Sequence, residues 1–199
     1  MPRTAFRLLM TIIFAFAPTV VFAHPGHGEG SNLLSGFVHP FGGIDHLLAM
    51  TAVGLFAAHL GGRALWAVPG SFIAVMAFGG IIGAAGISLP FAETAIALSV
   101  MVLGLVIAAR VSPPVLAAMA LVGLFAVFHG HAHGTEAPDS GSALAYGLGF
   151  MVASATLHGI GITLGVALQR FAEVPRRRAM QACGVAIALV GAGLTISLV

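Results

Sequence analysis

The sequence predicts an all-α membrane protein, a bundle of six transmembrane helices behind an N-terminal signal peptide. Three observations lead there. The 199-residue chain is 59% hydrophobic and only 7% charged, whereas a soluble domain carries about 25% charged residues. Its mean hydropathy is +1.06. Its apolar residues fall into runs long enough to cross a bilayer, separated by short polar stretches.

Residues 1–23 read as the signal peptide. Arg3 and Arg7 form the charged start, Leu8 to Ala17 the apolar centre, and Val21-Phe22-Ala23 a small-residue cleavage site. A polar, His- and Gly-rich leader spans 24–40, and the transmembrane domain occupies 41–199. Six apolar segments have approximate limits 41–60, 65–87, 91–110, 113–129, 142–168 and 179–198. About 20 residues at ~1.5 Å each cross a ~30 Å hydrocarbon core. The fourth segment is short for this and the fifth long, so one of them should tilt or kink. Backbone polar groups must be satisfied within lipid, so the segments are helices. Gly79/Gly83, Gly161/Gly165 and Gly184 with Gly191 give three of them small faces for close packing.

Charge placement sets the orientation. The net charge is only +2, all eight basic residues are Arg, and no basic patch points to nucleic acid. Beyond the signal peptide, Arg63, Arg110, Arg170, Arg176, Arg177 and Arg178 follow the first, third and fifth segments, all on one side. The positive-inside rule makes that side cytoplasmic. In a bacterial inner membrane, both ends of the mature chain are then periplasmic, together with Glu29, Glu93, Glu136, Asp139 and most of the nine His. Trp66 and Tyr146 are expected at the interfaces. The single Cys183 lies in an apolar run and supports neither an intramolecular disulfide nor a Cys-based metal motif.

Ionisable groups within a membrane span are expensive and read as functional. The first segment opens with His39-Pro40-Phe41-Gly42-Gly43-Ile44-Asp45-His46. Pro40 suits a first helical turn, and on a continuous helix His39 and His46 would lie nearly on one face. Asp45 is either a third ligand or an acceptor that orients a ligating His. Met50, one turn on, is either a soft ligand or core. The second constellation is Phe128-His129-Gly130-His131-Ala132-His133-Gly134-Thr135-Glu136. If the helix continues there, His129, His133 and Glu136 share a face, while His131 points elsewhere and would capture ions from the loop. The metal-ligand set is therefore His39, Asp45, His46, His129, His133 and Glu136. Secondary candidates are Glu93 at the outer start of the third segment, His158 in the middle of the fifth, His131, and His24 beside a new N-terminal amine.

These motifs carry a family resemblance. With His39-Pro40-x-x-Gly43-x-Asp45-His46-Leu47 and Phe128-His129-Gly130-x-Ala132-His133-Gly134-x-Glu136, the chain resembles the HupE/UreJ family of membrane proteins associated with nickel-dependent hydrogenase and urease systems. The resemblance implies uptake of Ni²⁺, or Co²⁺ in some relatives, by a secondary permease through those six residues. It also implies a link to nickel-enzyme maturation. The residues alone select a metal site but not nickel, since N/O ligands follow the Irving–Williams order.

No Gly-rich loop ending in Lys is present to hold ATP. No prosthetic group is expected, and the divalent ion is cargo. The alternatives are a metal-binding accessory or sensor protein and a copper or zinc transporter. A membrane metalloenzyme of the desaturase type needs several His boxes, and only one His-x3-His pair, His129/His133, occurs. No enzymatic activity is expected.

Overall fold

The computed structural model of the chain describes residues 33–137 and 143–198. The expected signal peptide, His24, His27, Glu29 and Asp139 lie outside the described residues. Every regular element among the described residues is helical. A short helix α1 (Leu33–Val38) runs into a 3-10 turn at His39–Phe41, followed by α2 (Ile44–Leu60), α3 (Ala64–Ala84), α4 (Ala92–Ala108), α5 (Val115–Thr135), α6 (Ala143–Leu168) and α7 (Glu173–Ile196).

Each of the six apolar segments thus carries one helix, but the lengths differ from expectation. Helices α3, α5, α6 and α7 have 21, 21, 26 and 24 residues and are long and apolar enough to cross a membrane. The fourth segment is not short, because α5 continues through the His-rich stretch to Thr135. The short ones are α2 and α4, whose 17 residues each reach only ~25 Å at ~1.5 Å per residue. Helix α2 is joined to α1 and its turn with a bend of 86°.

That bend changes the geometry of the first motif. Pro40 occupies the first turn of the 3-10 element. Gly43, in extended conformation with φ −103° and ψ 118°, then breaks the chain before α2 begins. His39 and His46 therefore stand on two elements rather than on one face of one helix. The Asp45 carboxylate folds back to accept the backbone N–H of His46 at 2.7 Å. A Cβ on Gly43 would crowd that same carboxylate oxygen. Asp45 thus completes the start of α2, where an acid is also favoured by the helix dipole.

The helices pack as close pairs: α3 on α5, α4 on α7, and α2 on α6, with α1 against the start of α6. Small residues bring the backbones together. A Cβ on Gly79 or Gly83 of α3 would meet α5 backbone at Val127 or His131, and one on Gly130 or Gly134 would meet α3 backbone at Met76 or Gly80. Gly54 and Gly161 join α2 to α6 in the same way, and Gly104 and Gly184 join α4 to α7. The glycine faces expected at Gly79/Gly83, Gly161 and Gly184 are all used so.

Phe56, Phe72, Met50, Met76, Leu103 and Ile107 fill the middle of the bundle. Met50 is core. Phe78, Ile81, Leu116, Leu124, Leu144, Val152 and Leu189 face outward instead. An apolar exterior of this extent calls for an apolar surrounding. With four spanning-length helices, it defines a multi-pass membrane protein. Trp66 is exposed near the start of α3, with the Arg63 guanidinium over its ring. Tyr146, in the first turn of α6, is buried against His39.

Polar groups separate to the two ends of the bundle. Arg110, Arg176 and Arg177 gather with His59 and Gln169 around a cavity of about 160 Å³ where α2, α4, α6 and α7 converge. His39, Asp45, His46, His133 and Glu136 lie at the other ends of α2 and α5.

Candidate metal centre

The 86° bend carries His39 away from α2 and towards the end of α5. Because α5 persists to Thr135, His133 and Glu136 come together there on one face. His39 Nε2, His133 Nδ1 and Glu136 Oε2 lie at 3.2 Å from one another in all three pairings. A triangle of that size has its centre about 1.8 Å from each corner. A first-row ion bound at ~2.1 Å would sit about 1 Å off the plane, capping one face of the triangle. The opposite side of the ion is left for water or further ligands. Among the described residues this is the group of His, Cys, Asp and Glu able to hold an ion.

The electrostatics suit a cation. Hydrogen bonds from His133 and then His39 hold the Glu136 carboxyl well below the usual carboxylate range, against the opposing effect of partial burial. Glu136 therefore supplies a full negative charge. Helix α6 builds the wall behind the triad: Phe150 packs on the His133 ring at 4.4 Å, and Tyr146 meets the His39 ring edge-on at 5.8 Å.

Below the triad lie two further imidazoles. His46 sits 5.2 Å from the His133 ring and 5.4 Å from the His129 ring. Exposure falls from 56% at Glu136, 39% at His39 and 19% at His133 to 1% at His46 and zero at His129. The set therefore runs from an open mouth into the protein.

The hydrogen bonds fix which nitrogen each buried ring leaves bare. Ser99 donates its hydroxyl proton to the Ile96 carbonyl at 2.6 Å, so His129 Nε2–H must donate to the Ser99 oxygen at 2.9 Å. Ser154 donates to the Phe150 carbonyl at 3.0 Å, so His46 Nε2–H likewise donates to Ser154 at 3.0 Å. Each neutral ring then presents Nδ1 as an unprotonated lone pair. Neither Nδ1 has a partner among the described residues. Outer-shell bonds that set a tautomer and leave one nitrogen free are what metal-ligating His requires.

Of the six ligand candidates, the structure gathers His39, His133 and Glu136 into a triad and stacks His46 and His129 beneath it. Asp45 is not in the triad; it is engaged with its own helix start. His131 is not in a loop. It is buried in α5 and donates Nε2–H to the Ile87 carbonyl at 2.7 Å, tying the α3–α4 connection to α5. Glu93 is exposed in the first turn of α4 and is not part of the triad. His158 is buried deeper along α6. Ser99, Ser154, Tyr146 and Phe150 were missed in the sequence. Ser154 precedes His158 by one helical turn, the one signal that could have singled it out.

Fold and site together define a polytopic helical membrane protein with an imidazole–carboxylate cluster opening at one end of the bundle. A family model described as HupE / UreJ protein matches residues 12–194, and the chain belongs to that family. It is 46% identical over 191 residues to Protein HupE of Rhizobium leguminosarum bv. viciae, covering 96% of this chain and 97% of that one. No solved structure matches it significantly.

Proposed function

We propose that the chain is an inner-membrane uptake permease for a divalent transition-metal ion, with Ni²⁺ favoured and Co²⁺ second, supplying the maturation of nickel enzymes. The observation that carries this is the graded ladder of donors. An exposed, anionic triad of His39, His133 and Glu136 leads to the buried, bare nitrogens of His46 and His129. A purely structural site would close around its ion. A path needs several positions of modest affinity that accept and release it.

The nickel assignment leans on the family. Two imidazoles and a carboxylate suit several first-row ions alike. The Arg-lined end of the bundle is taken as cytoplasmic and the triad as periplasmic, with six spans in all. The bend between α1 and α2 lets the first of these begin with a broken segment. No nucleotide is consumed by this chain. A dication gains about 2.3 kcal/mol per charge for each 100 mV of inside-negative potential, enough to drive uptake.

The test is ⁶³Ni²⁺ uptake by cells that lack other high-affinity nickel import. Expression of the chain should raise uptake, and His133→Ala or Glu136→Ala should remove the increase while the protein stays in the membrane. Full uptake by both variants would refute the path.

A further inference from the structure

His158 is the buried polar group that the site described above leaves unexplained. It lies in α6, one turn beyond Ser154, and is 1% exposed. Neither ring nitrogen has a hydrogen-bond partner among the described residues. The Ser154 hydroxyl gives its proton to the Phe150 carbonyl and accepts from His46, and makes no bond to His158. His158 therefore does not act as polar glue between helices, the ordinary reason for an imidazole in a bundle.

Its surroundings place it in line with the ladder. Phe72, fully buried, meets the His158 ring edge-on at 5.4 Å and the His129 ring at 5.8 Å on its other contact. The α2 and α6 backbones are in close approach there, since a Cβ on Gly54 would strike the His158 carbonyl. A neutral imidazole carries one N–H and one lone pair, and here both are unclaimed. Leaving a polar side chain unsatisfied in an apolar interior costs stability, and intramembrane ionisable groups are read as functional by default.

We infer that His158 is an inner binding position for the transported divalent cation, one turn further along α6 than Ser154, which holds His46, and sharing with His129 a contact on the Phe72 ring. The inference rests on the permease reading. An ion leaving the bare Nδ1 atoms of His46 and His129 finds at His158 the next unpartnered nitrogen. The ligand is a borderline first-row dication that accepts an imidazole nitrogen, and Ni²⁺ is the probe.

The experiment uses the full chain, in detergent for Ni²⁺ binding and in proteoliposomes for Ni²⁺ influx. His158→Phe keeps an aromatic ring without donors, His158→Gln keeps polarity, and His158→Met restores a soft donor. Influx should fall about tenfold or more in His158→Phe and His158→Gln, with partial recovery in His158→Met. Half-saturation should stay within about threefold, because the outer triad is untouched. Bound Ni²⁺ at saturation should drop by one ion per chain in His158→Phe. Influx within about twofold of wild type in His158→Phe or His158→Gln would overturn the inference. Should His158→Phe fail to yield monodisperse protein, the Gln and Met variants decide on the same criteria. If the wild-type chain binds Ni²⁺ but gives no influx, the permease reading fails. In that event loss of one bound ion still supports the inner position, and unchanged stoichiometry overturns it.

Discussion

Replacing Glu136 with Gln removes the one formal charge from the triad while keeping its size and a carbonyl oxygen. The Glu136 oxygen lies 3.2 Å from both His39 Nε2 and His133 Nδ1. A dication and a carboxylate at ~2.1 Å attract by about 4 kcal/mol even in the dielectric of bulk water. Most of that does not survive in the observed difference. The Glu136 side chain is 56% exposed, so water competes for the ion, and the Gln carbonyl still offers a neutral ligand. A loss of about 1.4–2.8 kcal/mol remains, equivalent to Ni²⁺ binding ~10–100-fold weaker. Equilibrium dialysis or calorimetry on purified protein at pH 7 reads this directly. Glu173→Gln, a carboxylate at the start of α7 on the Arg-lined side, serves as control. Binding by Glu136→Gln within about twofold of wild type would show that the carboxylate holds no ion, and the triad would lose its role.

The Glu136 charge should survive mild acid. A carboxyl with a lowered pKa contributes its charge at every pH above its ordinary range and loses it only as pH falls through the lowered value. Glu136 should therefore stay ionised at pH ~4.5, where an ordinary Glu with a pKa of ~4.3 is nearly half protonated, as the infrared carboxylate band of the wild type against Glu136→Gln would show. Ser154→Ala leaves His46 Nε2–H without its acceptor. It should cost about 1–3 kcal/mol of stability and slow Ni²⁺ influx while Ni²⁺ still binds at the mouth, separable by thermal melts and transport assays. Gly130→Ala would set a methyl against the Met76 backbone. Forcing α3 and α5 apart should cost about 1–3 kcal/mol, read as a lower melting temperature in detergent.

The helical architecture was legible because lipid leaves the backbone few choices, and runs of apolar residues mark its outcome. The close-packing faces could be found at Gly79/Gly83 and Gly184, where small residues interrupt apolar sequence. Half of the site was equally plain: the i, i+4 pair His129/His133 with Glu136 one turn on needed only that α5 continue. The bend at Gly42-Gly43 was not legible, since two Gly after Pro40 fit both a roomy helix and a broken one. Only the docking of α1 on α6, with Gly36 against Tyr146 and Gly149 against Leu33, selects the break. His131 was misplaced for a related reason. A polar, Gly-rich stretch reads as loop, but contacts of Gly130 and Gly134 with α3 keep it helical. Ser99, Tyr146 and Phe150 reach the site from elements distant in sequence and nothing local marks them, while Ser154 is marked only by its place one turn before His158. Asp45 shows the opposite case. Its placement beside His46 suggested a ligand, while the bond it makes is the shortest-range one available, to the next residue's own N–H.

The most direct measurement of the central claim is Ni²⁺ influx into liposomes that contain only this protein and a trapped metal-sensitive dye, with an imposed potassium diffusion potential. Lumenal Ni²⁺ should rise with time, and faster as the interior is made negative, with a driving force of about 4.6 kcal/mol per 100 mV for a dication. His133→Ala should abolish it. Ni²⁺ bound by the same liposomes, with none reaching the lumen at any potential, would contradict the account and leave a metal-binding membrane protein in place of a permease.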